Sequence, residues 1–253
     1  MATSTFKRKI IFIIADGIGD TSVHSLNNQT PLQASKIPKI DLLAKSGLTG
    51  LMDSVEPGYA CGSDTSHMNI FGYSPFKHYR GRGAFETIGS GLSMDQGDVA
   101  FKCNFAHIDT KTKIVKLRRV DREFPEWGLP LIEPLNTLKV PGFPDHKVSA
   151  LWATEHRIGL KINGPNLTDN ITGTDPLKDN KKLWDCQPTD SEDPNAPKMC
   201  ELINNLSEEI TRVLEQQPIN QNRAKEGLPT ANLVTLRGAG SMLSLDKFDD
   251  VHG

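Results

Sequence analysis

Residues 9–20 read KIIFIIADGIGD. A lysine is followed by an unbroken apolar, β-branched run, which closes in Asp16-Gly17. Alternating polar positions would mark a strand wetted on one face. This run has none, so it is expected to be a central strand of a parallel sheet covered by helices on both sides. A signal peptide also pairs basic residues with an apolar run. Here the run is too short for one, and no small-residue cleavage site follows it. The stretch after it, TPLQASKIPKIDLLAKSG (30–47), reads as a short helix, a proline break, and an amphipathic helix stopped by Gly47. LTGLMDSV (48–55) is expected to be a second strand. EPGYACGSD (56–64) is then a loop, with a helix starting at Thr65. This strand–loop–helix order argues for an α/β fold.

From Pro75 onward the texture changes. YRGRGAFETIGSGLSM (79–94) is glycine-rich and is expected to be a loop holding one short helix. Residues 98–109, 113–120, 147–164 and 166–175 are strand-like runs separated by polar turns, expected to form a mixed α+β segment with antiparallel pairing. Residues 178–198 are polar and contain prolines, as a long surface loop would. Residues 199–216 are the cleanest helix, with Leu202, Ile203, Leu206, Ile210, Val213 and Leu214 on one face. TANLVTLRGAG (230–240) reads as a further buried strand ending in glycines. The expected division is a partial core of residues 1–75 and 230–253 with residues 76–229 inserted.

Bulk composition narrows the classes. The 253 residues are 37% hydrophobic and 24% charged, ordinary for a globular protein. A net charge of -2 gives no reason to expect nucleic acid or an acidic membrane surface as a partner. No stretch is long enough to span a bilayer. The four cysteines are scattered and form no C-x-x-C pair, so reduced thiols in the cytoplasm are expected.

Two positions could carry chemistry. Asp16 sits at the carboxyl end of the first expected strand, where open α/β sheets bind ligands. It could hold a hard cation, or Asp16-Gly17 could be only a turn. Ser63, in CGSDTSHMNIFGYSP (61–75), sits in the second strand-to-helix loop. A helix N-terminus beneath it favours an anion. An unassisted serine is a poor nucleophile and needs a base or a metal. The alternative is that Ser63 or Asp64 merely caps the helix. Cys61 is a weaker candidate, because no positive charge lies near it in sequence to lower its pKa.

Taken in order, IIADGIGD, TPLQASKIPKIDLLAKSG, GSDTSHMNIFGYSP, YRGRGAFETIGSGL, GDVAFKCNF, TEHR, PINQNRAKEGLPTAN and LRGAG resemble the archaeal-type cofactor-independent phosphoglycerate mutase family, part of the alkaline phosphatase superfamily. The resemblance runs from about Lys9 to the last residue. It implies an alkaline-phosphatase-like parallel-sheet core with an inserted mixed α+β domain. It implies interconversion of 3- and 2-phosphoglycerate, a glycolytic step, through a phosphoserine at Ser63. Two divalent metal ions, Mn²⁺ or Mg²⁺, would be held in part by Asp16 and Ser63. His67 matches a histidine near the substrate. Arg82, Arg119, Arg122 and Arg157 become candidates for holding phosphate and carboxylate, with Arg80 and Arg118 behind them. Arginine suits that work because its planar fork binds such groups in bidentate fashion. Where the family has Ala-Gly, this chain has Val120-Asp121, which puts a negative charge beside the expected clamp.

The resemblance also implies further metal ligands beyond RGAG: an aspartate with a nearby histidine, an Asp-His pair, and another histidine. None follows in this sequence. Asp145-His146 lies in the inserted segment and reads as a surface turn. His252 is terminal and expected to be mobile. The expectation is therefore a C-terminally truncated mutase. The alternatives are a chain completed by a second polypeptide or by another copy, a non-catalytic binder of phosphorylated ligands, and a metal-dependent phosphatase of the same superfamily.

Overall fold

The structure, a computed structural model, describes residues 9–15, 17–59, 62–242 and 245–253. The chain divides into two compact units, Met1–Met52 and Asp53–Gly253. No helix among the described residues is long and apolar enough to cross a membrane.

The first unit carries helices α1 (Pro31–Ala34) and α2 (Pro38–Ser46). A proline opens each, where its missing N–H costs nothing. Thr30 caps α1 in a reciprocal capping box with Gln33. Gly47 ends α2, as its position in the sequence predicts. The two strands expected in this region are not observed. Residues 9–15 have no strand structure, and Ile10 and Ile11 are 92% and 84% exposed. Residues 48–55 likewise form no strand. A β-prone run becomes a strand only when a neighbouring strand satisfies its backbone, and neither run joins a β-ladder among the described residues.

The second unit is built on six strands: β1 (Val99–Asp109), β2 (Ile114–Leu117), β3 (Lys147–Thr154), β4 (Arg157–Asn163), β5 (Lys181–Lys182) and β6 (Leu233–Ser241). Every pairing among them is antiparallel. β1 is the hub. β4 pairs with it over 99–104 and β6 over 99–106. Past a bulge at His107/Ile108, β2 takes over. The strand-like run 166–175 makes only single bridges, at Ile171 and Gly173. Its polar side chains compete with the ladder: Thr168 and Asn170 donate to Asp193, and Asp169 accepts from Ser241.

The helices of this unit are α3 (Ser63–Ile70), α4 (Pro75–His78), α5 (Arg82–Gly89), α6 (Phe124–Gly128), α7 (Ile132–Asn136), α8 (Ala196–Glu215), α9 (Pro218–Lys225) and α10 (Phe248–His252). α8 presents Met199, Leu202, Ile203, Leu206, Ile210 and Leu214 to one sheet face. There they join Phe101, Cys103, Phe105 and Leu160 in the main core. α5 lies on the other face. A Cβ on Gly83 would sit 2.0 Å from the Ala100 carbonyl oxygen, so only glycine permits the approach.

Candidate active site

α3 starts two residues earlier than its sequence predicts. Gly62, in an extended conformation, is the N-cap, with no side-chain cap bond. Ser63 is therefore the first helical residue and exposed, and neither it nor Asp64 acts as the cap. The helix geometry places His67 one turn on, where its Nδ1 lies 2.5 Å from the Ser63 carbonyl oxygen. An N–H at Nδ1 donates to that carbonyl and leaves Nε2 as the ring's acceptor.

Ser63 and His67 line a cleft of about 780 Å³, together with Arg82, Phe85, Thr154 and Phe248. Arg82 opens α5. Its Nε lies 3.4 Å from Glu86 Oε1 and 3.8 Å from Asp64 Oδ2. Asp64 also accepts from the Tyr79 hydroxyl at 2.7 Å. Burial works to raise the Asp64 carboxyl. The Tyr79 bond, the Thr65 backbone N–H and Arg82 outweigh it and hold the carboxyl below its usual range. Tyr79 is in turn pushed up, by burial and by the carboxylate it faces. The cleft thus brings an exposed serine at a helix N-terminus, an imidazole and a guanidinium into its lining.

The remaining predicted residues fall elsewhere. Arg119 and Arg122 follow β2 and are exposed, while Arg157 opens β4 and is half-buried. None of the three lines the cleft; Arg119 and Arg157 are near enough to His156 to act on its charge. His156 is buried in the β3–β4 turn, and its Nδ1 lies 3.1 Å from the Asp121 carbonyl oxygen. Arg122 points to Glu155 at 3.9 Å. The Asp121 carboxylate is occupied, accepting from the Glu123 N–H and from Trp127 Nε1. Arg118 is bound to Asp175 by two 2.6 Å contacts. Asp145-His146 sits in the turn before β3, where His146 Nε2 meets the Pro165 carbonyl. His252, expected to be mobile, is docked in α10, with Nε2 2.9 Å from the Phe71 carbonyl oxygen. Asp16 and Cys61 lie outside the described residues.

Sequence reasoning missed the polar face of the sheet beneath α5. Lys102 is buried there and paired with Glu86, and Arg237 stands opposite it in register. Arg237 Nε is 3.4 Å from Asp175 Oδ2. Burial lowers the Arg237 pKa. Asp175 works against that, while Arg118, Arg82 and Arg119 reinforce it. Arg82 therefore belongs both to the cleft and to this cationic group. The signal was available: Lys102 and Asn104 alternate with Phe101, Cys103 and Phe105.

A family profile described as 2,3-bisphosphoglycerate-independent phosphoglycerate mutase matches residues 44–220. Proteins of that name from Metallosphaera sedula and Saccharolobus solfataricus are 41% and 42% identical over 247 and 241 residues. These alignments cover 98% and 95% of this chain but 59% and 57% of those proteins. Among solved structures, the cofactor-independent phosphoglycerate mutase from Thermoplasma acidophilum aligns with a TM-score of 0.60 and 32% identity, over 92% of this chain and 59% of that one. The PH0037 protein from Pyrococcus horikoshii aligns at 0.69 and 29%, over 93% and 52%. The chain spans less than three fifths of the length of the curated relatives it matches. Across that span it belongs to the 2,3-bisphosphoglycerate-independent phosphoglycerate mutase family.

Proposed function

We propose that this chain carries the nucleophile and the substrate-holding segment of a mutase that interconverts 3- and 2-phosphoglycerate in the cytoplasm through a phosphoserine at Ser63. The observation that carries the proposal is the exposed Ser63 at the first position of α3, not spent on capping, in a cleft shared with His67 and Arg82. The Ser63 hydroxyl oxygen attacks phosphorus, the bond from phosphorus to the glycerate oxygen breaks, and the proton lost by Ser63 ends on that departing oxygen. The N-terminal end of the α3 dipole favours the negative charge that builds there. Arg82 attracts the anion into the cleft. Glycerate stays bound through the inserted segment, 76–229, for which Arg119, Arg122 and Arg157 are the proposed holders. Its other hydroxyl then takes the phosphoryl group back. Exclusion of water separates this outcome from hydrolysis.

Dependence on two divalent ions, Mn²⁺ or Mg²⁺, is part of the same reading. Ser63 offers one oxygen, and Asp16 is the proposed carboxylate partner. Among the described residues no group of three or more His, Cys, Asp or Glu side chains converges, so these residues do not by themselves form a two-metal centre. An alkaline-phosphatase-like parallel core also belongs to the proposal. The apolar run 9–15 supports it, because it is patterned to be covered on both faces.

The test is turnover of 3-phosphoglycerate by the purified chain with Mn²⁺ or Mg²⁺ and no bisphosphoglycerate, beside Ser63→Ala. Turnover that Ser63→Ala abolishes at an unchanged melting temperature is the result expected where a second copy or a second chain completes the metal site. Phosphate release without 2-phosphoglycerate would make the chain a phosphatase. Binding without turnover would make it a ligand-binding remnant.

A further inference from the structure

Cys186 and Cys200 do not line the cleft and play no part in the proposed reaction. Their sulfurs are 3.4 Å apart, and the residues are 2% and 6% exposed. We propose that this pair is an oxidation site, closing to an intramolecular disulfide that staples the segment before α8 to that helix.

The framework on both sides holds the sulfurs in place. The Cys186 N–H donates to Asn204 Oδ1 at 2.8 Å, which ties the loop to α8 one turn beyond Cys200. Gln187 and Thr172 exchange two bonds, Gln187 N–H to Thr172 Oγ1 and Thr172 N–H to the Gln187 carbonyl. The Thr189 N–H reaches the Asn170 carbonyl. Cys200 sits in α8 between core residues Met199 and Leu202. A disulfide needs about 2.05 Å between sulfurs, a closure that modest side-chain rotations can supply. Cys103, buried in β1, donates to the Phe101 carbonyl and serves as an internal control.

With hydrogen peroxide as oxidant, the thiolate of one cysteine attacks oxygen and becomes a sulfenic acid, releasing one water. The second thiol displaces the other water. Two S–H bonds and one O–O bond break, one S–S bond forms, and two electrons pass to the peroxide. With a small disulfide such as glutathione disulfide, the same two electrons yield two glutathione thiols. Burial, with Cys186 adding to it, pushes the Cys200 thiol up to about 12. Little thiolate is available, so closure is slow. The reduced state gains nothing from a stabilised thiolate, so the bond persists once made.

The wild-type chain alone decides the matter. The folded chain is treated with hydrogen peroxide, or separately with glutathione disulfide, then alkylated and digested with trypsin without reduction. Cleavage after Lys182, Lys198 and Arg212 puts the two cysteines on separate peptides, 183–198 and 199–212. The expected product is those two peptides joined, two hydrogens lighter than their sum, and separated by dithiothreitol. Because the bond closes a loop between residues fourteen apart, the melting temperature should rise by about 5–10 °C, reversibly with dithiothreitol. Cys186→Ser and Cys200→Ser should each lose both signals. Recovery of both peptides singly alkylated, capped by glutathione, or joined to Cys61 or Cys103 would overturn the proposal.

Discussion

The two faces of the antiparallel sheet share a backbone and differ in almost everything else. Under α8, β1 presents Val99, Phe101, Cys103 and Phe105, all buried against aliphatic side chains. Under α5, the same strand presents Lys102 and Asn104, beside Arg157 on β4 and Arg237 on β6. Each large apolar side chain on the first face contributes about 1.5–3 kcal/mol. The second face works the other way, since each buried ion costs several kcal/mol before its partner offsets it. Asn104 Nδ2, Thr87 Oγ1 and Arg237 Nε are buried there without a hydrogen-bond partner. One face holds the sheet together. The other keeps charge in place at the expense of stability.

The comparison can be broken in several ways. Phe105→Ala should cost about 3–5 kcal/mol, read from denaturant unfolding, since Phe105 is fully buried and stacks on Phe124 at 4.5 Å. Asp175→Asn should cost about 3 kcal/mol by leaving Arg118 and Arg237 without their carboxylate. A neutral result would show that the charged face is not held together by this pair. The third test uses acid. Burial depresses the His156 pKa, against the Asp121 carbonyl that raises it and with Arg119 lowering it further. The unfolded chain then binds the proton more readily, so stability is complete above an ordinary histidine pKa of about 6.5 and falls as pH drops through the folded value. His156→Gln should flatten that slope between pH 5 and pH 7 in thermal unfolding. Arg122→Ala is the smallest change expected. Its side chain is 89% exposed and 3.9 Å from Glu155, so stability should move by less than about 0.5 kcal/mol. A raised KM for phosphoglycerate with unchanged stability would assign it to substrate.

The sequence made the second unit largely legible. The strand-like run 98–109 and the 3.6-period face of 199–216 appear within a few residues of expectation, while the run 147–164 divides into β3 and β4 around a turn at Glu155-His156. Local pattern suffices there because each element buries its apolar side against a neighbour present in the same unit. The run 10–14 and the run 233–236 look alike in composition. One is an exposed segment without strand structure and the other a buried strand. Pairing decides between them, and pairing is not a local property. For the cleft, Ser63, His67 and Arg82 were legible as a group. Arg119, Arg122 and Arg157 were assigned to the same ligand, but none of them lines the cleft. Asp175 went unread because its role depends on two arginines distant in sequence, and irregular backbone carries it.

Because β1 lies between β4 and β6, synthesis order matters. β4 is complete at Asn163, while β6 begins only at Leu233. At roughly 5–20 residues per second, the ribosome leaves β1 with one bare edge for several seconds. Its neighbour in the final ladder, Ser241 opposite Val99, has not yet been made. During that interval the most apolar strand of the unit is open to pairing with another nascent chain. The hub that organises the finished sheet is therefore also an edge left open to mispairing while the chain is being made.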